Sequence, residues 1–226
     1  MVHVWTIHVP AFDAAGSEGI LSPAEKARAA RYHFAEDRQR YIAGRASLRR
    51  ILGQRTSTPA GELVIEEAEG TKPRLALPAG APCIFFNVSH SGDYAAIAIS
   101  DTAALGIDIE EIRADCPIDQ LARRYYAPRE FEWLRNLPED KRLQGFYRLW
   151  TIKEAVLKCA GLGLSVPTQS IRVALADDQA PTVTCSDAGH KTLEEFQVRE
   201  LNLAEHYGSA LAVSTDEQIG IFLGSA

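Results

Sequence analysis

Two separated blocks constrain this chain more than anything else in it. They are Leu105-Gly106-Ile107-Asp108-Ile109-Glu110 and Trp150-Thr151-Ile152-Lys153-Glu154-Ala155-Val156-Leu157-Lys158, the second followed by Gly161 and Gly163. In the first block apolar residues alternate with carboxylates at the period of a strand, so Asp108 and Glu110 point to one face. Two carboxylates side by side repel unless a cation lies between them. The second block reads as a helix, with Trp150, Ala155, Val156, Leu157 and Ala160 apolar and with Glu154 and Lys158 one turn apart on one face. An ordinary helix salt bridge worth about 0.3–0.5 kcal/mol would explain Glu154 and Lys158 alone. Three carboxylates meeting beside an ammonium explain both blocks at once. Such a set suits Mg²⁺, which keeps several waters and grips a substrate phosphate. Lys153 is turned about 100° from Glu154 on the helix, a structural or solvent-facing position, and Trp150 is expected in the core.

The remaining composition excludes several classes. A net charge of −6 over 226 residues does not suit a nucleic-acid binder. The start, Met1-Val2-His3-Val4-Trp5, lacks the basic and apolar regions of a signal peptide, and no apolar run approaches a membrane span, so the expectation is a soluble, cytoplasmic protein with no membrane partner. The scattered cysteines Cys83, Cys116, Cys159 and Cys185 form no metal or redox motif and read as small buried residues. Charge is uneven, however. From Lys26 to Arg55 the chain carries Lys26, Arg28, Arg31, Arg38, Arg40, Arg45, Arg49, Arg50 and Arg55 against only Glu36 and Asp37. A basic segment in an acidic protein points to a local anionic partner, with some of Arg40, Arg45, Arg49 and Arg50 facing it.

In chain order, Val2–Val9 alternates as an edge strand, and Ser22-Pro23-Ala24-Glu25 starts a helix that runs to about Phe34. A second helix, from about Arg38 to Leu52, buries Tyr41, Ile42, Leu48, Ile51 and Leu52 and stops at Gly53. A short strand at Leu63-Val64-Ile65 precedes a Gly70-Thr71-Lys72-Pro73 turn, and a strand from Ile84 runs into Asn87-Val88-Ser89-His90-Ser91-Gly92. Helices over Ile118–Tyr126, Pro128–Leu137 and Leu143–Ala160 follow, then strands at Pro167–Ala176, Pro181–Thr184, Phe196–Leu201 and Ser209–Thr215, and a last apolar segment beyond Asp216. Short blocks recur in order: Pro59–Ile65 parallels Pro167–Val173, and Ala95–Ser100 parallels Ser209–Ser214. The repeat predicts two similar α+β halves, 1–104 and 105–226.

Gly106-Ile107-Asp108 together with Trp150-Thr151-x-Lys153-Glu154-Ala155-x-x-Lys158 resembles the signature of the 4′-phosphopantetheinyl transferases, which load carrier proteins from coenzyme A. The resemblance extends in blocks from Ser22 to Val173 and is to the longer, surfactin-synthetase-activating type. It implies an α+β pseudo-dimer of two similar halves, each a small, mostly antiparallel sheet packed on a long helix, with the coenzyme between them, in a monomer with an internal pseudo-two-fold. It implies Mg-dependent transfer of the phosphopantetheine arm to a serine of an apo acyl or peptidyl carrier, for fatty-acid, polyketide or nonribosomal peptide assembly, with release of 3′,5′-ADP. Carried over to this chain, Asp108, Glu110 and Glu154 would hold Mg²⁺, or Mn²⁺ in its place. Lys158 would face the phosphate oxygens, and Glu154 would serve as base directly or through a bound water. Arg28, Lys72, Pro73, Asn87, Ser89 and His90 would contact coenzyme A along with Asp108 and Lys158, with His90 as a protonated donor. Relatives place two basic residues where this chain has Glu25 and Arg28, so Arg28 would act alone or with Lys26. Glu130 matches a carboxylate near the relatives' site but reads here as an ordinary helix N-terminal charge. A coenzyme A pyrophosphate hydrolase and a non-catalytic binding module for coenzyme A or a carrier are the alternatives.

Overall fold

The computed structural model describes residues 1–67, 71–162, 166–175, 180–185, 196–215 and 218–225. Strand β1 (Val2–His8) leads into a short helix α1 (Ala14–Ser17), then α2 (Pro23–Ala30) and the long helix α3 (Ala35–Thr56). A ribbon of β2 (Ile65–Glu66) and β3 (Arg74–Leu75) precedes the hairpin β4 (Phe85–Ser91) and β5 (Tyr94–Ser100). Next come β6 (Leu105–Glu111), α4 (Ile118–Tyr125), α5 (Pro128–Asn136) and the second long helix α6 (Glu139–Ala160). The chain closes with β7 (Ile171–Ala174), β8 (Thr182–Cys185), β9 (Phe196–Glu200), β10 (Tyr207–Ser214) and β11 (Ile221–Ser225).

Among the described residues two larger sheets form, ordered β11-β1-β5-β4 and β6-β10-β9 and antiparallel except for the β1/β11 pair, beside the two-stranded ribbons β2-β3 and β7-β8. Each larger sheet is backed by one of the 22-residue helices: α3 packs Ala43, Leu48 and Leu52 against Phe86, Ile97 and Ile99, and α6 packs Ile152, Ala155 and Val156 against Ala210 and Ala212. A third apolar cluster, of Val4, Ala96, Ala98, Leu105, Ile107, Ile109, Leu211 and Val213, joins the sheets to each other. Strand β5 is therefore buried on both faces, which its nearly unbroken apolar run permits, and its small Ala96 and Ala98 let the second sheet come close. The α+β architecture of two helix-backed sheets is as the family resemblance implies. One strand departs from chain order: β11, last in sequence, lies parallel to β1 in the first sheet, so residues 221–225 are grouped apart from the rest of 105–226.

Helix limits differ from the sequence reading for identifiable reasons. Helix α2 starts as expected, with Ser22 Oγ accepting from Glu25 N at 3.3 Å and Glu25 Oε2 accepting from Ser22 N at 2.8 Å. Helix α3 begins earlier, because Glu36 and Asp37 occupy its first turn, where carboxylates favour the helix N-terminus. It also runs through Gly53 and stops at Ser57, which takes φ 53°. Gly53 serves a different purpose: a Cβ there would lie 2.7 Å from the Thr58 carbonyl oxygen, so glycine lets the chain turn back across the helix. Helix α6 starts after Pro138 rather than at Leu143 and ends, as expected, at Gly161 with φ 69°. The Leu63–Ile65 strand shrinks to β2, and Pro167–Ala176 splits into a 3-10 turn at Thr168–Ser170 and β7. Gly70, Gly163, Ala176 and Asp216 lie outside the described residues. Of the cysteines expected inside, Cys159 is buried, Cys116 half-buried and Cys83 exposed.

Candidate active site

The site lies along the seam between the sheets, and β4 builds that seam with its side chains. Asn87, Ser89 and Ser91 fall at a spacing of two and so share one face of β4. Asn87 Oδ1 accepts from Ile107 N at 2.8 Å, Ser89 Oγ from Ile109 N at 3.5 Å and Ser91 Oγ from Glu111 N at 3.1 Å. A ladder of side-chain acceptors thus replaces the backbone ladder that would have fused β4 to β6.

The same hydroxyls reach the acidic residues of β6. Ser89 Oγ donates to Asp108 Oδ1 at 2.9 Å, and Ser91 Oγ donates to Glu110 Oε2 at 2.8 Å. From α6, Lys158 Nζ meets Asp108 Oδ1 at 2.5 Å and Ser89 Oγ at 2.9 Å. Asp108, Glu110, Glu154 and Lys158 line one cavity of about 270 Å³, together with Trp150, Ser89 and His90. Burial and the neighbouring Asp108 push the Glu110 carboxyl up to about 7. Burial also raises Glu154, with Lys158 opposing and Asp108 adding. Trp150, expected in the core, sits half-buried on the cavity wall with its ring edge-on to Tyr125 at 5.3 Å.

Three carboxylates against one ammonium leave this cavity short of positive charge. Asp108 is 1% exposed, yet its Oδ2 has no hydrogen-bond partner. An orphaned buried carboxylate oxygen beside two carboxyls held above their usual range fits a hard divalent cation. Among the described residues no three His, Cys, Asp or Glu side chains already converge as ligands, so a cation here would draw part of its shell from water or a bound phosphate.

The opposite end of the cleft is basic. A cavity of about 210 Å³ is lined by Arg28, Tyr32, Tyr41, Arg45, Glu67 and Pro73, and Asn87, Val88 and His90 close it. Val88 and His90 line both cavities, so one cleft passes from the arginines, across His90, to the carboxylates. Arg28 lies 5.3 Å over the Tyr41 ring, and the Glu67 carboxylate bridges Arg28 and Arg45. Partial burial, then Lys158 and Arg40, hold the His90 imidazole below its usual pKa.

Other expected residues fall elsewhere. Lys72 Nζ donates to the Leu105 carbonyl, so of Lys72-Pro73 only Pro73 lines the arginine cavity. Burial holds the Lys72 ammonium below its usual pKa. Arg45 and Arg49, two of the four arginines of which some were expected to face a partner, are turned inward. Arg49 Nε pairs with Glu25 Oε2 at 2.6 Å and its Nη1 donates to the carbonyls of Ala60 and Leu63, while Arg45 Nε lies 3.2 Å from Glu25 Oε1. Glu25 therefore joins α2 to α3 as an interior anion. Arg40 bonds Asp37 and the Gly92 carbonyl, and Arg50 bonds Ser17 Oγ, which leaves a smaller basic surface than the sequence suggested. Glu130 is structural, as read: it is buried, accepts from Ala127 N and Val173 N, and pairs with Lys153 at 2.7 Å. Lys153 is likewise buried, donating to the carbonyls of Thr168 and Ile171.

Sequence reading overlooked Arg45, Glu67 and Trp150 as parts of the cleft. Arg45 was partly findable, one helical turn beyond Tyr41. Glu67 carries no local signal.

Residues 104–214 match the family model described as the 4′-phosphopantetheinyl transferase superfamily, and residues 4–102 match the one described as 4′-phosphopantetheinyl transferase, N-terminal. The chain is similar to the 4′-phosphopantetheinyl transferase HetI of Nostoc sp., 38% identical over 176 residues that cover 77% of this chain and 74% of that one. It is similar also to the 4′-phosphopantetheinyl transferase of Bacillus subtilis, 31% identical over 194 residues covering 86% and 82%. Among solved structures, a holo-(acyl-carrier-protein) synthase from Bacillus anthracis in complex with CoA overlays 49% of this chain and 95% of its own at TM-score 0.40 and 22% identity.

Proposed function

Because the chain belongs to the 4′-phosphopantetheinyl transferase superfamily and is a transferase, we propose that it moves the phosphopantetheine arm of coenzyme A onto a serine of an apo acyl or peptidyl carrier. The observation that carries this reading is the polarity of the cleft, with two arginines at one end, His90 midway, and Lys158 with three carboxylates at the other. Coenzyme A has a matching polarity, with a phosphate monoester on the ribose and a diphosphate leading to the pantetheine arm.

In this reading Arg28 and Arg45 seat the 3′-phosphate, where guanidinium forks match phosphate oxygens. Pro73 and Asn87 border the nucleotide, and Lys72 supports the start of β6 from behind. His90 donates an N–H to the diphosphate, and an arriving anion favours its protonated form. Lys158 and the Ser89 hydroxyl face the phosphorus to be attacked. Asp108, Glu110 and Glu154 would hold Mg²⁺ or Mn²⁺, which supplies charge neutralisation at the diphosphate oxygens. Glu154, its carboxyl raised by burial, takes the proton as the carrier serine Oγ bonds to phosphorus. The bridging P–O bond then breaks, and 3′,5′-ADP leaves. Residues 1–104 bind the nucleotide and residues 105–226 bring the carboxylates and α6, within a monomer that repeats its own half-fold. No described helix is long and apolar enough to cross a membrane, and the proposed site of action is the cytoplasm.

Incubation with a fluorescent coenzyme A and a panel of apo carriers, read as labelled bands on a gel, tests the reading. A labelled carrier band that vanishes when the acceptor serine is replaced is the expected result. Release of 4′-phosphopantetheine without any carrier would mark a hydrolase, and retention of coenzyme A without turnover a binding module.

A further inference from the structure

The arginine end of the cleft already holds an anion of its own. Glu67 Oε1 accepts from Arg28 Nη1 at 2.5 Å, and Glu67 Oε2 accepts from Arg45 Nη2. The two carboxylate oxygens are thus divided between two guanidinium groups on different helices, an arrangement that the oxygens of a phosphate reproduce. Arg28 and Arg45 hold the Glu67 carboxyl below its ordinary pKa despite its burial, so it is charged at neutral pH.

The charges leave room for an incoming anion in place of Glu67. Arg45 and Arg49 are buried against α2 and already share Glu25 as counter-ion. Arg28, Arg45 and Arg49 with Glu25 alone carry 3 − 1 = +2, and with Glu67 they carry +1. A phosphate monoester carries about −1.5 to −2 at neutral pH, which matches the site without Glu67 and not the site with it. Glu67 is also weakly tethered. It follows β2, a two-residue strand paired only through Ile65↔Leu75 and Glu66↔Arg74, and its side chain is 27% exposed.

We propose that Glu67 is an internal counter-anion that occupies the Arg28/Arg45 pair in the free protein and gives it up to the phosphate monoester of the incoming ligand, so that it sets selectivity for ligands that carry this phosphate. The inference rests on reading this cavity as the seat of the coenzyme's 3′-phosphate. A dianion outcompetes a tethered monoanion for two guanidinium groups, whereas a ligand without the phosphate leaves Glu67 in place and gains nothing from the arginines. Affinity is lowered by the fraction of molecules in which Glu67 fills the pair.

The test is calorimetric binding of 3′,5′-ADP and of 5′-AMP to the full chain, as wild type and as Glu67→Gln, at one ionic strength. Glu67→Gln is expected to tighten 3′,5′-ADP binding by roughly two- to fivefold, the scale of releasing a partly exposed ion pair, and to leave 5′-AMP binding unchanged. Glu67→Ala is the second variant should the glutamine variant fold poorly, and it is expected to act in the same direction. Unchanged or weaker 3′,5′-ADP binding in the variants, with wild type still preferring it over 5′-AMP, would overturn the role of Glu67 and leave the cavity assignment standing. Equal wild-type affinity for the two nucleotides would overturn both.

Discussion

A methyl group added at position 106 tests how the two sides of the acidic cavity are held in register. An ideal Cβ on Gly106 would lie 2.1 Å from Ala155 O, 2.3 Å from Cys159 N and 2.9 Å from Lys158 C. All three are backbone atoms of α6, so no side-chain rotation relieves the clash. Against a closest approach of 3.0 Å, the helix must retreat by 3.0 − 2.1 = 0.9 Å. Overpacking costs about 1–3 kcal/mol, and the upper end applies because backbone must move. For a chain of this size about 3 kcal/mol lowers Tm by about 6–12 °C. The same retreat carries Glu154 and Lys158 away from Asp108, and a misplacement of about 1 Å costs about 10²-fold in rate. Gly106→Ala is therefore expected to lose both stability and transfer, read by thermal unfolding and by single-turnover labelling of a carrier. Gly208→Ala on β10 is the control, because its Cβ would meet Tyr147 Cβ at an easier 3.3 Å and Thr151 Cγ2 at 3.5 Å. A Gly106→Ala protein within about 0.5 kcal/mol of wild type that kept more than half its rate would refute the claim that this close approach positions α6.

Asp108→Ala and Glu154→Ala are each expected to cut transfer at least about 10²-fold while leaving the circular dichroism spectrum unchanged; a rate near wild type at saturating Mg²⁺ would remove that residue from the site. Lys153→Met should cost about 3–5 kcal/mol, since it leaves Glu130 buried without its cation. Arg148→Ala, whose partner Glu200 is about a third exposed, should cost under about 1 kcal/mol, and equal shifts in urea midpoint would contradict this ranking. Glu67 has a depressed pKa, so its contribution to stability is present above about 4.5 and lost as pH falls through the folded-state value. Wild type and Glu67→Gln should accordingly differ in unfolding free energy at pH 7 by an amount that shrinks as pH falls below about 4.5, and a constant difference would exclude ionisation as its source.

Local rules made much of this molecule legible. The Ser22/Glu25 box, the alternation from Leu105 to Glu110 and the stop at Gly161 each depend on a few adjacent residues, and each stands where sequence placed it. Residues that settle their charges through distant partners were not legible. Arg45 and Arg49 look like a solvated pair on a helix until Glu25 is seen to come from α2, and Glu130 finds Lys153 only through the packing of α5 on α6. The pairing of β11 with β1 joins the two ends of the chain, and no local signal announces it. Gly53 misled because glycine ends many helices, whereas here it clears room for Thr58.

The side-chain ladder between β4 and β6 makes the width of the cleft a matter of residue length. Backbone pairing fixes neighbouring strands at about 4.8 Å, and no substitution alters that pitch. Here the gap is spanned by Asn87, Ser89 and Ser91, and the asparagine acceptor stands one bond farther from its strand than a serine hydroxyl. The join therefore works like a set of shims, thicker at the Ile107 end than at the Glu111 end. Swapping one shim would tilt one sheet against the other and change the slot between arginines and carboxylates, with neither hydrophobic core touched.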